Sequence, residues 1–267
     1  MSMNDTPHSG SFAAAPFAAL QGRWALVTGA SSGIGRAIAL ELAAAGASLV
    51  LVARRSREAL EQVASEVRAC HVTAETVLQD ISEAEQLAPF VERMFQTHPQ
   101  LEFWINNAGV DLLTGSARQW DYATKLQALW ETDVRGSILL SRLAGQKLKA
   151  LGRGVILNIG WDQAETGMDG DSGELFAAAK GAIMCFSRSL AVSLAPQVRV
   201  HCIAPGWIRT AWGETASDLW QERVMRETPL KRWGEPADIA RLARFLLSDE
   251  AAYLTGQIWN ANGGAVR

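Results

Sequence analysis

Cysteine, blocks of like charge and long apolar runs are all scarce in this chain. Its three cysteines, Cys70, Cys185 and Cys202, are odd in number and far apart. That argues against a disulfide framework or a zinc site and fits a reducing cytoplasm. The net charge is −3 with no block of one sign, so neither nucleic acid nor a membrane surface is expected as a partner. After the first 22 residues, no run reaches the ~20 apolar residues that span a bilayer. The four histidines, His8, His71, His98 and His201, show no metal-ligand spacing, and no metal is expected. His201 lies in a strand pattern and reads as a core residue. Residues 1–22 contain no Lys or Arg, and Pro16 interrupts their apolar stretch. A signal peptide needs a basic start and an unbroken apolar core, so 1–22 are expected to form a flexible leader and the protein to be cytoplasmic.

The 267 residues are 48% hydrophobic and 20% charged, enough for a sizeable core. Short β-rich apolar runs occur at Trp24–Thr28, Ser48–Val52, Thr76–Gln79, Leu101–Ile105, Val155–Ile159, Val198–Ile203 and Gln257–Asn260. Helical periodicity fits Gly35–Ala45, Arg57–Ala69, Ala84–Gln96, Tyr122–Leu151, Gly173–Leu194 and Pro236–Leu246. Continuous apolar strands alternating with helices predict a parallel sheet buried on both faces. The expectation is α/β: one doubly wound Rossmann-type domain over 23–267, with a seven-stranded, mainly parallel sheet flanked by helices on both faces.

The first strand runs into Thr28-Gly29-Ala30-Ser31-Ser32-Gly33-Ile34-Gly35, which opens the first helix. Gly29 permits a tight turn, Gly33 lets backbone approach a pyrophosphate, and Gly35 lets helix and strand pack closely. The helix N-terminus then offers N–H groups to phosphate. The second strand ends in Ala53-Arg54-Arg55. Ala53 cannot accept a bond from a ribose 2′-hydroxyl, whereas Arg54 and Arg55 can pair with a 2′-phosphate, so NADP(H) is favoured over NAD(H). Asp80, followed by Ile81, ends the third strand and is expected to hold the adenine. Asn106-Asn107-Ala108-Gly109 follows the fourth strand at the sheet edge where ligands bind. Asp111 lies just beyond, in the expected substrate pocket.

These motifs recur in family order with the Phe176-Ala-Ala-Ala-Lys180 helix, Pro205-Gly206-Trp207-Ile208-Arg209-Thr210 and the ending Leu254–Gly264. Over about residues 22–264 the chain resembles the short-chain dehydrogenase/reductase family. The resemblance implies a nicotinamide cofactor, a small-molecule substrate and a homodimer or homotetramer. It also places Pro205, Gly206, Trp207, Ile208 and Thr210 against the nicotinamide half of the cofactor.

The family pattern uses Asn, Ser, Tyr and Lys. Tyr donates a proton to the carbonyl oxygen, Ser holds that oxygen, Lys lowers the Tyr pKa and binds the nicotinamide ribose, and Asn anchors a relay water. Here only Lys180 matches. Phe176 stands at the Tyr position, Asp133 at the Asn position and Trp161 at the Ser position; sliding the alignment brings Asp162 or Gln163 there instead, never a Ser. A positioned general acid contributes about 10²–10⁴ in rate, and an oxyanion hydrogen bond roughly 3–4 kcal/mol. Ordinary alcohol–ketone chemistry is therefore not expected. Asp162, or water held by Lys180, is the candidate proton source. Asp169, Asp171 and Glu174 lie in the same loop, where they solvate it or, for Asp171 or Ser172, cap the next helix. Trp161, Trp207 and Trp212 are expected to wall a pocket for a planar or apolar ligand, under a lid over 211–228. The competing expectations are a cofactor-binding redox sensor or silent subunit without turnover, and a fold whose cofactor has become structural.

Overall fold

The computed structural model describes residues 16–266. Strands β1 (Trp24–Thr28), β2 (Ser48–Ala53), β3 (Ala74–Leu78), β4 (Leu101–Asn106), β5 (Gly154–Ile159), β6 (Val198–Pro205) and β7 (Ile258–Ala261) form one sheet. Its order is β3-β2-β1-β4-β5-β6-β7, and every pair is parallel. Alternate residues of each strand serve different layers. Ala25, Val27, Phe103 and Ile105 face one core with α1 (Gly33–Ala44), α2 (Arg57–Arg68) and α9 (Pro236–Leu247). Leu26 and Trp104 face the other with α3 (Ala84–Thr97), α5 (Ser137–Ala150) and α6 (Asp171–Leu194). Burial on both faces is why these strands read as unbroken apolar runs.

The chain winds one way from β1 to β3 and the other way from β4 onward. Loops at the carboxyl ends of β1 and β4 therefore part and leave a crevice, the usual ligand position in open α/β sheets.

Three expectations change. The helix expected over Tyr122–Leu151 is broken into α4 (Tyr122–Leu129), a π-helical segment (Trp130–Gly136) and α5. The wider π turn carries Asp133 and lies next to Ile81, whose carbonyl a Cβ at Gly136 would meet at 2.5 Å. A periodicity of 3.6 does not reveal such a local insertion. Residues 16–22, expected to belong to a flexible leader, are packed: Leu20 is fully buried, Phe17 stacks on Phe245, and Arg244 donates to the Phe17 and Ala18 carbonyls. The first 15 residues of that leader lie outside the described residues. Finally, α6 is long and apolar enough to cross a membrane by length and composition. Here it packs as a core helix on β6, burying Ile183, Met184, Leu190 and Leu194.

A buried polar chain fixes α6 against the sheet. The Trp104 indole donates to Asn106 Oδ1 (2.9 Å), Asn106 Nδ2 donates to Ser141 Oγ (2.8 Å) and Asn158 Oδ1 (2.9 Å), and Asn158 Nδ2 donates to Ser187 Oγ (2.9 Å). Ser187 closes the chain on the Ile183 carbonyl at 2.7 Å. Satisfied buried networks rigidify their surroundings, and this one ties β4, β5, α5 and α6 into the frame that aims Phe176 and Lys180.

Candidate active site

At the β1–α1 turn, Gly29 and Gly33 have φ of +66° and +53°, the left-handed region that glycine enters without strain. A Cβ at Gly35 would lie 2.1 Å from the Gly29 carbonyl oxygen, so only glycine lets helix and turn close. A Cβ at Gly33 would meet only Thr210, at 3.7 Å, leaving that face of the loop open. Ser32 caps α1 without a side-chain hydrogen bond, so the first N–H groups of the helix stay available to an anion. Arg54 and Arg55 are exposed at the end of β2 and make no ion pair with a described residue. The turn and the helix N-terminus fit the pyrophosphate of a dinucleotide.

Several of the expected contact residues also make hydrogen bonds or packing contacts within the chain. Thr28 is fully buried; its hydroxyl donates to the Ile105 carbonyl and accepts from Asn107 N (3.0 Å) and Ala108 N (3.1 Å). Asn107 Nδ2 donates to the Thr28 and Gly29 carbonyls. Both staple β1 to β4 and shape the loop from behind. Asp80 accepts from the Ser82 amide and hydroxyl, Ile81 is buried in the second core, and Asp111 closes its own turn on Leu113 and Thr114 amides.

Lys180 lies one helical turn beyond Phe176, on the same face of α6. Its ammonium is 2.8 Å from Asp133 Oδ2, whose side chain is 1% exposed against 14% for Lys180. The second Asp133 oxygen accepts from Val110 N at 2.8 Å. Asp133 is thus held from two sides. The Trp161 and Phe176 rings meet edge to face with centroids 6.2 Å apart. The chain's two tyrosines are elsewhere: Tyr122 donates to Glu174 and Tyr253 is fully exposed.

Asp162 is fully buried. One oxygen accepts from Gln163 N (2.8 Å) and the other from Asn262 Nδ2 (3.0 Å), and a Cβ at Gly206 would lie 3.2 Å from it. Burial pushes its carboxyl up to about 6, against the hydrogen bonds from Asn262 and Gln163 that favour the ionised form. The neighbouring acids are committed to other contacts. Asp169 pairs with Arg223 at 3.9 Å, and Glu174 accepts from Tyr122. The cap of α6 is Gly170 rather than Asp171 or Ser172.

The expected trio of tryptophans separates. Trp161 pairs with Phe176, whereas Trp207 and Trp212 join Trp220 and Trp233 in a cluster with centroids 5.3–6.1 Å apart. Helices α7 (Ala211–Thr215) and α8 (Asp218–Glu227) bring these rings together. The Arg223 guanidinium lies 4.7 Å from the Trp220 ring centre, and Met168 packs on the same cluster. Trp233 and Arg223 were not legible as site residues, because their roles come from contacts between segments. The buried Asn in the apolar Val-Ile-Leu-Asn-Ile run was a usable signal for the polar chain behind α6. A cleft of about 460 Å³ opens between the segment that follows α8 and the C-terminal turn; Trp207 and Ile208 line it, and Lys180 and Phe176 do not.

A family model described as enoyl-(acyl carrier protein) reductase matches residues 29–266. The chain belongs to the short-chain dehydrogenase/reductase family. It is 30% identical over 246 residues to the 3-oxoacyl-[acyl-carrier-protein] reductase FabG of Staphylococcus aureus, covering 90% of this chain and 96% of that protein. A short chain dehydrogenase from Burkholderia cenocepacia J2315 in complex with NADP aligns with a TM-score of 0.82 at 29% identity, covering 92% of this chain and 98% of that one. A 7α-hydroxysteroid dehydrogenase complexed with NADH and 7-oxo glycochenodeoxycholic acid aligns at 0.84 and 30%, covering 93% and 96%. The protein is accordingly an oxidoreductase of this family.

Proposed function

We propose that this oxidoreductase uses NADP(H) with a non-standard acid–base set and acts on a small planar or conjugated substrate. The observation that carries the reading is the Lys180–Asp133 ion pair, 2.8 Å long, one helical turn from a phenylalanine. When bound, the cofactor supplies or accepts a hydride. The α1 N-terminus would hold its pyrophosphate, Arg54 and Arg55 its 2′-phosphate, and Lys180 its nicotinamide ribose. Phe176 and Trp161 form an apolar wall that has no hydroxyl to donate. A proton then has to pass through water on the Lys180 ammonium, which Asp133 orients from the buried side. Asp162 is the weaker candidate, since both of its oxygens are engaged and it is fully buried.

A substrate whose reduction needs little help at oxygen, such as an enone or heteroaromatic ring, suits a site of this kind. The protein is proposed to work in the cytoplasm as a homodimer or homotetramer. The α4–α6 surface is the proposed contact, where Leu126, Trp130 and Val192 are exposed.

The test is NADPH consumption over a panel of aldehydes, ketones, enones, quinones and pterins, beside Lys180→Ala and the double variant Phe176→Tyr, Trp161→Ser. Consumption by the native chain that Lys180→Ala abolishes supports the reading. Tight NADPH binding with no consumption on any substrate supports the alternative, a cofactor-binding sensor or partner subunit.

A further inference from the structure

A nicotinamide ring changes its charge by one unit when it is reduced: the oxidised ring is a cation and the dihydropyridine is neutral. The net charge of nearby side chains therefore biases which form binds, and the bias is strong where those charges are shielded from water. Lys180 is the residue that the resemblance brings to the nicotinamide ribose, and a lone ammonium there would repel the oxidised ring. In this protein the ammonium is not alone. Asp133 Oδ2 lies 2.8 Å from Nζ, its side chain is 1% exposed, and Val110 N fixes its other oxygen at 2.8 Å. An asparagine at 133 would fill the same space and leave one positive charge uncompensated. The pair sums to zero, and its buried member is screened little by salt. Asp162, with an oxygen 3.2 Å from a Cβ position on Gly206, adds negative charge from the opposite segment when ionised.

We propose that Asp133 sets the redox-state preference of the cofactor site, cancelling the Lys180 charge so that the oxidised cofactor is held about as well as the reduced one. The proposal rests on the NADP(H) reading above. It assigns Asp133 a role in specificity that Lys180 alone would reverse. A site that holds both forms alike leaves the direction of reaction to the supply of the two cofactor forms.

The experiment measures Kd for NADP⁺ and NADPH by calorimetry at pH 8 and low salt. The proteins are the native chain, Asp133→Asn, Lys180→Gln and the double variant Asp133→Asn, Lys180→Gln, each checked for folding by thermal melting. Asp133→Asn is expected to raise the ratio Kd(NADP⁺)/Kd(NADPH) on the order of tenfold. Lys180→Gln should lower it, and the double variant, neutral again, should return it to near the native ratio. A ratio unchanged in every folded variant overturns the proposal, as does a double variant that keeps the Asp133→Asn ratio. Absence of saturable binding of either form by the native chain would overturn the NADP(H) reading itself, a different result from binding with an unmoved ratio.

Discussion

The two halves of the crevice are built by different means. On the β1–α1–β2 side, backbone does the work: glycines in tight geometry, helix N–H groups and two exposed arginines. On the β4–α6 side, side chains from distant segments meet: Asp133 with Lys180, Asp162 with Asn262 across 100 residues, and four tryptophans under the lid. A backbone site tolerates little substitution at Gly29 and Gly35, where even a Cβ would overlap neighbouring backbone. A side-chain site can change its chemistry while the surrounding fold stands, and the proposed reading is that Phe176, Trp161 and Asp133 have replaced the family's Tyr, Ser and Asn here.

Substitutions that act on one half and spare the other test this contrast. The largest effect is expected from Gly35→Val. Its side chain would overlap the Gly29 carbonyl, since even the Cβ lies 2.1 Å away. Overpacking of this kind costs ~3 kcal/mol or more, and urea unfolding together with NADPH fluorescence should show both lower stability and lost cofactor binding. Retained binding would mean that the loop does not form the cradle.

Asp162 comes next. Its carboxyl titrates at about 6 in the fold, against 3.8 ordinarily. The folded chain therefore holds this proton more tightly than the unfolded one. The contribution of the group to stability is greatest below about 4, falls as the pH rises toward about 6 and is level above that. Two units correspond to ~3 kcal/mol. Asp162→Asn should flatten the decline measured by urea unfolding between pH 4 and 7. A decline of the same depth in the variant would show that another group causes it.

Arg54→Ala should weaken NADPH about tenfold while leaving NADH nearly unchanged, as expected for loss of a charge-assisted phosphate contact. Equal weakening of both, measured by titration, would remove the 2′-phosphate assignment. The smallest change in stability is expected for Gly33→Ala. The added methyl has room, with Thr210 3.7 Å away, and the cost is that of holding φ at +53°, ~1 kcal/mol. Cofactor affinity should fall by more than that, since the methyl occupies the face open to phosphate. An affinity change no larger than the stability change would put the pyrophosphate elsewhere.

The strands and most helices were legible because burial on two faces, or on one helical stripe, imposes a period on the residues themselves. The turn at Thr28–Gly35 was legible because its geometry demands glycine. The π segment was not, since one widened turn leaves no periodic trace. Nor was the packing of residues 16–22, which depends on Arg244 and Phe245 far along the chain. Asp133, Lys180 and Phe176 could be singled out by position, but their pairing could not: the ion pair exists only because the π turn and α6 meet.

Amino-acid order alone settled the class of fold, the glycine turn after β1 and the absence of a phenol at position 176, because each is a local property of backbone sterics or of a single side chain. Folding in three dimensions decided that Lys180 is paired with Asp133, that Asp162 is shut in beside the C-terminal turn, and that Trp161 faces Phe176. Those facts depend on distances between segments remote in sequence, while the buried polar chain from Trp104 to Ser187 ties β4, β5, α5 and α6 beneath them.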